Sequence, residues 1–419
     1  MIRKAAIILL NCIWVSFFMF PVGLFFLPEQ VNTKMIVAVG GVVAFAIECL
    51  RGRSVFVSKP VMFSALLAII FSIWCFFSVT VNGTDDTTYS RYWLSFATWL
   101  GGAYGVCWLI RETEGKLNLE NLTFYLALVC LLQCILAEVI DNSPAFQRTI
   151  DSIFIQGQEF YHHVKRLYGI GASLDVAGVR FSAVLVLMAH QMSAYGKAID
   201  NPKLTVFYFV SFAVILIIGS IIARTTWAGA ALGLVYMGIS YLRVDKGTIT
   251  SRQTYFWLVL IGVIVATTVI STWLYNTNAE FRHNLRFGFE GFFNWAESGT
   301  FRTDSTDKLN GNMWIWPSDP RTWAIGTGVF GDFAFGTDIG YCRFTLYCGL
   351  IGLILFSVFF IYNGLVLVRL FPDSVYVALL LIALTFIIWL KVATDIFFIF
   401  ALLLCTASLL EKPAKYSTE

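Results

Sequence analysis

Twelve apolar runs, separated by compact polar pieces, dominate this chain and constrain it more than any motif does. They cover residues 5–27, 35–50, 61–81, 93–110, 122–140, 179–196, 205–223, 226–242, 255–274, 342–363, 375–391 and 396–410, the second and the last two being short. About 20 mostly apolar residues in a helix cross the hydrocarbon core of a bilayer. The chain is 58% apolar and 13% charged over 419 residues. Soluble domains carry about 25% charged residues, so one globule of this length cannot bury the excess. A soluble enzyme, a disordered chain, collagen and a disulfide-rich secreted module are excluded. A net charge of +3 is too slight for a nucleic-acid binder. The class expected is an all-α polytopic membrane protein with about 12 transmembrane helices. The first run is read as a true span rather than a signal peptide, because no small-residue cleavage site precedes Pro28 and the second run follows at once.

Lys and Arg in short loops resist translocation and so mark the cytoplasmic side. With the N-terminus inside, Arg3-Lys4, Arg51 to Lys59, Arg111 to Lys116, Lys197 to Lys203, Arg243 to Arg252, Arg369 and Lys412 to Lys415 all fall there, and they hold more than half of the 29 basic residues. Both termini are thus expected in the cytoplasm. Two long segments, 141–178 and 275–341, fall outside. The chain divides into 1–274 with spans one to nine, the large outer segment 275–341, and 342–419 with spans ten to twelve and a tail. Seven of the nine cysteines lie within the runs, and Cys342 and Cys348 head the tenth. One helix does not bring that pair into disulfide geometry, and no histidines stand near them to complete a metal site. The cysteines read as small apolar fillers, and neither a metal nor a cofactor is expected. No internal repeat is visible, which weighs against a transporter of two related halves.

Chemistry is sought in the outer segments. Phe281, Phe287, Phe289, Phe292, Phe293 and Trp295, interleaved with Arg282, His283, Arg286 and Glu290, suit a helix lying in the membrane surface. Polar residues mixed with Trp314, Trp316 and Trp323 suit sugar rings, and equally an interfacial tryptophan belt. Asp338 enters the tenth span from the outer side, as a plain helix cap or as a base for a hydroxyl nucleophile. Arg224 sits in the four-residue joint Ala223-Arg224-Thr225-Thr226 between spans seven and eight. There it either snorkels to headgroups or pairs with an anion, and two parallel N–H bonds suit a phosphate. Arg180, just after Asp175, and Arg302 either join it or form surface ion pairs. Lys391 and Asp395 flank the last outer turn, spaced to pair with each other if it is helical. His190 falls within span six and suits hydrogen-bonded packing. His162 and His163, next to Lys165 and Arg166, read as an exposed basic patch.

The arginine after the seventh span, the run Gly326-Thr327-Gly328-Val329-Phe330, and Asp338-Ile339-Gly340-Tyr341 leading into Gly349-Leu350-Ile351-Gly352 resemble the O-antigen polymerase and ligase superfamily. The resemblance runs from about Arg166 to Asp395. It is closer to Wzy-type polymerases of O-antigen or capsule repeat units, in which a stretch like Ser305-Thr306-Asp307 precedes the glycine pair. The ligases usually carry a His-Asn pair where Asp338 and Ile339 stand here, and this departure favours polymerase.

The resemblance implies a GT-C-like glycosyltransferase of the bacterial inner membrane, acting in lipopolysaccharide or other polysaccharide biosynthesis. Such a protein moves a glycan from undecaprenyl diphosphate to an acceptor sugar hydroxyl at the periplasmic face, by a metal-independent, inverting displacement. Arg224, with Arg302 and Arg180, would neutralise the diphosphate; Asp338 would deprotonate the acceptor and Tyr341 help to hold it; Lys391, Asp395 and Asp175 would support the site. The partners implied are the lipid-linked oligosaccharide, the bilayer and a chain-length regulator. Two alternatives stand beside this: an O-antigen ligase acting on lipid A core, and a twelve-span transporter or polysaccharide flippase that performs no chemistry.

Overall fold

A computed structural model describes residues 2–28, 30–51, 58–164, 166–244, 251–331, 333 and 335–410. The chain is nearly all helical. Helices α1 (Ile2–Met19), α2 (Thr33–Leu50), α3 (Lys59–Asn82), α4 (Tyr92–Glu114) and α5 (Leu119–Asn142) follow one another. Short helices α6 (Pro144–Ile153) and α7 (Gln158–Val164) lead to α8 (Leu174–Met192), α9 (Pro202–Ile222), α10 (Thr226–Val244) and α11 (Ser251–Thr277). The large outer segment folds into α12 (Ala279–Gly288), α13 (Glu290–Ser298), α14 (Asp304–Asn312) and α15 (Pro320–Ile325), and α16 (Gly340–Leu370), α17 (Val375–Ile388) and α18 (Phe397–Leu410) close the chain. Two antiparallel two-residue strands, β1 (Gly23–Leu24) and β2 (Phe154–Ile155), tie the first turn to the end of α6.

Among the described residues, eight helices are long and apolar enough to cross a membrane, namely α2, α3, α4, α5, α8, α9, α11 and α16, and three shorter apolar stretches lie in α10, from Pro372 through α17, and in α18. The architecture is that of an all-helical, membrane-embedded protein. Each of the twelve apolar runs is largely helical, the tenth with a break at Gly349. The first, expected to reach residue 27, ends at Met19, because Pro21 restricts the residue before it and Gly23 leaves to pair with Ile155.

The bundle is organised around α8, in which every residue from Ala177 to Met192 is buried. Such a helix needs neighbours on all sides, and α10 approaches it most closely: a Cβ on Gly229 would lie 2.1 Å from the Ser182 carbonyl oxygen. By contrast α11 stands at the rim, with Phe256 alone buried among its described residues.

The tenth apolar run is not one continuous helix. At Gly349 the backbone of α16 adopts φ 70°, ψ 179°, which breaks the hydrogen-bond ladder inside a spanning segment. Such a break is tolerated in a membrane only where the freed carbonyls find partners. Thr327 and Gly328 donate their backbone N–H groups to Leu346 and Tyr347 at 2.7 and 2.9 Å. The Ser78 hydroxyl reaches Tyr347 at 2.9 Å and the Trp74 indole reaches Cys348 at 2.8 Å. A Cβ on Gly349 would lie 2.1 Å from the Ala324 carbonyl and one on Gly326 would lie 2.2 Å from that of Tyr347. The two glycine motifs of the sequence thus meet, and what they build is a docking joint between α15 and the broken helix.

Candidate functional site

The joint between α9 and α10 is stapled to the head of α8. Ala223 donates to Gly219 at 2.8 Å and Trp227 to Arg224 at 3.1 Å, closing the turn on itself. The Ser182 hydroxyl donates to the Thr225 carbonyl at 2.8 Å and accepts from Gly229 at 3.1 Å. The Thr225 hydroxyl donates to the Asp175 carboxylate, and the Lys391 ammonium donates to both Asp175 and Thr225 at 3.0 Å. Three elements far apart in sequence therefore converge on one carboxylate. Beside it Leu174 holds φ 48°, a strained left-handed conformation for a residue with a Cβ.

Arg224 extends from the same joint toward the outer segment. Its guanidinium pairs with Glu290 and lies 4.2 Å from the centre of the Phe287 ring. A second guanidinium, that of Arg166, lies 4.1 Å from the same ring. Phe287 and Glu290 are delivered by the bend between α12 and α13. The Trp227 indole donates to the Gly288 carbonyl at 3.3 Å and meets Phe289 and Phe292, each with its ring centre 5.1 Å away. Glu290 also accepts the backbone N–H of Asp304 at 2.8 Å, so the carboxylate that holds Arg224 also holds the start of α14.

These groups surround a cavity of about 210 Å³. Arg166, Arg224, Lys308 and Lys391 line it against two carboxylates, Asp175 and Asp338, with Ser305, Leu309 and Met313 along one side and Ile222, Ala223 and Phe287 along the other. Crowded cations in a partly dry cavity are costly unless an anion joins them. Burial, and then the nearby Arg224, lower the Arg166 pKa below its ordinary value. Burial and the neighbouring Asp175 push the Asp338 carboxyl above the usual carboxylate range, against the opposing pull of Arg343 and Lys391. Among the described residues Asp338 has no hydrogen-bond partner, and the residue capping α16 is Ile339, which makes no side-chain cap bond. The plain helix-cap reading of Asp338 is thereby corrected.

The structure brings Arg224, Asp338, Asp175 and Lys391 to one cavity and leaves the other candidates outside its lining. Tyr341 points away, its hydroxyl donating to the Phe386 carbonyl at 3.0 Å and its ring edge-on to Trp389. Arg302 is exposed and paired with Asp307 at 3.2 Å. Arg180 is buried deeper in the bundle. It donates to Val176 at 3.0 Å, lies near the Phe20 and Phe398 rings, and leaves its Nε without a partner. Lys391 does not pair with Asp395, because Asp175 and Thr225 claim its ammonium. Asp395 instead accepts from the Phe397 N–H at 3.0 Å, and burial pushes its carboxyl up while that bond, Lys34 and Arg180 oppose the rise.

His190 is tied on both ring nitrogens, to Tyr236 at 3.1 Å and Ser374 at 3.0 Å, as packing required. All nine cysteines are free, and no group of three or more His, Cys, Asp or Glu among the described residues is placed to hold a metal ion. Lys165 and the side chains of His162 and His163 lie outside the described residues, as do most of the basic pieces 52–57, 245–250 and 411–419.

Arg166, which in the sequence reads as part of a surface patch, lines the cavity, and so do Ser305, Lys308 and Phe287, which with Glu290 are not among the sequence candidates. The signal for Lys308 was present: Ser305, Lys308 and Leu309 share one face of a helix at i, i+3, i+4 spacing. Glu290 gave none, since its partner lies 66 residues away.

Comparison with known proteins returns nothing: no family model, no curated protein and no solved structure matches the chain.

Proposed function

We propose that the chain is a polymerase of lipid-linked polysaccharide repeat units, O-antigen or capsule, in a bacterial inner membrane. The observation that carries this reading is that Arg224 and Asp338, from distant parts of the sequence, line one cavity with three further cations. A diphosphate is the anion best suited to Arg166, Arg224, Lys308 and Lys391, because guanidinium groups bind its oxygens in pairs while ammonium groups add point charge. In this proposal the acceptor sugar hydroxyl attacks the anomeric carbon of the lipid-linked glycan, and its proton passes to Asp338. The carbon–oxygen bond to the diphosphate breaks, and the electron pair stays on a leaving group that the cations neutralise as its charge grows. One in-line step inverts the anomeric carbon, and the diphosphate bond supplies the energy. Arg166 and Lys308 take the supporting place that the sequence assigned to Arg302 and Arg180, and Tyr341 has no part.

The topology proposed with it is twelve spans with both termini cytoplasmic and α12–α15 in the periplasm. Twelve helical runs and the basic residues of the compact loops support it. No cofactor is invoked. The substrate partner is an undecaprenyl-diphosphate-linked oligosaccharide, and a chain-length regulator is a further expected partner.

Deletion in the native host, followed by gel analysis of surface glycan, tests the function. A single repeat unit on lipid A core, restored to a ladder by the wild-type chain and not by Arg224→Ala, is the expected result. Core without any repeat would point instead to ligase or flippase.

A further inference from the structure

Next to the charged cavity is a second, larger space. It measures about 550 Å³ and lies between α9 and α11 under the α12–α13 bend, lined by Leu216, Ile217, Thr268, Thr272, Phe289 and Phe292 among others. Its wall is overwhelmingly apolar. Leu216 and Ile217 lie about 8 Å below the end of α9, and Thr268 about 14 Å below the end of α11, at 1.5 Å per helical residue. The space therefore belongs to the membrane-facing depth of the bundle, and α11, which stays at the rim and buries none of the residues it contributes here, makes one side of it.

The two spaces share their partition. On α9, Leu216 and Ile217 face the apolar slot, while Ile222 and the following Ala223 and Arg224 face the charged cavity. At the α12–α13 bend, Phe287 lines the cavity, Phe289 lines the slot, and Glu290 pairs with Arg224. One amphipathic bend thus separates an anion site from a mostly apolar site a few residues away. That juxtaposition fits a ligand with both characters in one molecule.

Resting on the lipid-diphosphate reading above, we infer that the slot between α9 and α11 holds the polyprenyl chain of the substrate while its diphosphate occupies the cavity at Arg224. The chain enters sideways from the bilayer past α11, whose shallow packing leaves that side open. The tail is already out of water in the bilayer, so the affinity it adds comes from packing in the slot and from holding head group and chain at adjoining sites.

The purified full chain in phosphatidylcholine nanodiscs tests this with three probes: inorganic pyrophosphate, geranyl diphosphate and a long polyprenyl diphosphate. The wild type is expected to bind the long chain at least about tenfold more tightly than the geranyl compound. Ile217→Trp and Thr268→Trp, which fill the slot, should abolish that preference while leaving pyrophosphate affinity unchanged, which also shows that the variants fold. Thr268→Cys should be shielded from a lipid-soluble maleimide by the long-chain diphosphate alone. Pyrophosphate binding with no chain-length preference, or a preference that survives both tryptophans, overturns the slot and spares the diphosphate reading. Equal shielding in plain nanodiscs places bulk lipid there and overturns the slot as well. Failure of the wild type to bind pyrophosphate overturns the diphosphate reading and this inference together.

Discussion

Arg224 is held by Glu290, so under the proposed function a diphosphate must exchange with an internal carboxylate. A partly exposed pair of this kind is worth about 1 kcal/mol, which reduces apparent anion affinity about fivefold. Glu290→Gln, which keeps an acceptor for the Asp304 N–H, should therefore tighten pyrophosphate binding several-fold by calorimetry; unchanged affinity would show that Glu290 does not compete. Arg224→Ala should lower turnover by about 100-fold or more, the scale of losing one transition-state donor. Asp338 should leave its mark on the pH profile. Its folded pKa is raised by burial and Asp175, so on acidification it takes up a proton at a higher pH than an ordinary aspartate near 3.9. As a base it works only when ionised, so activity should fall as pH drops through that raised value. In Asp338→Asn the residual activity should lose this acid limb, and an unchanged limb would assign it elsewhere. Arg224, Asp175, Asp338 and Lys391, which line the cavity, stand out in the sequence as charges near the outer ends of apolar runs, but so do Arg180 and Asp395, which lie outside the lining. Glu290 and Arg166 were not legible, since Glu290 gains its meaning from Arg224 and Arg166 from Phe287, through a bend whose docking against Trp227 no local pattern announces.

Among the elements, α16 shows most clearly what a hydrophobicity pattern misses. Cys348-Gly349-Leu350 sits in an unbroken apolar run and reads as ordinary helix, yet the ladder breaks there because Thr327 and Gly328 supply substitute donors from another segment. Gly349→Ala combines a positive φ with a Cβ placed 2.1 Å from the Ala324 carbonyl and should cost about 2 kcal/mol or more, read as a lower Tm of the purified protein. Gly262→Ala on α11, where no atom lies within 4 Å of the added Cβ, should be neutral or gain up to about 1 kcal/mol. Equal losses at both positions would mean that the break is not a defined joint. Helix α14 behaves differently again: none of its residues is buried, yet it lines the cavity with Ser305, Lys308 and Leu309 and is tethered at its start by Glu290.

At the scale of the molecule, a central helix buried from Ala177 onward carries Asp175 at its partly exposed head, and the ends of α9, α16 and α17 bring Arg224, Asp338 and Lys391 to the same end of the bundle. The positions of the twelve runs were readable because bilayer thickness sets a length scale that few other constraints imitate. The four helices of the outer segment were not, apart from the amphipathic stretch around Phe281 to Trp295, because their short lengths carry little periodic signal. Under the proposed function, one cavity of Arg224 and Asp338 transfers glycan from a lipid diphosphate. The most direct test of this is polymerisation by the purified chain in liposomes supplied with a lipid-diphosphate-linked repeat unit and nothing else. A ladder from wild type and Arg302→Ala, with none from Arg224→Ala or Asp338→Asn, is predicted. A ladder undiminished in Arg224→Ala and Asp338→Asn, or no elongation by the wild type, would contradict it.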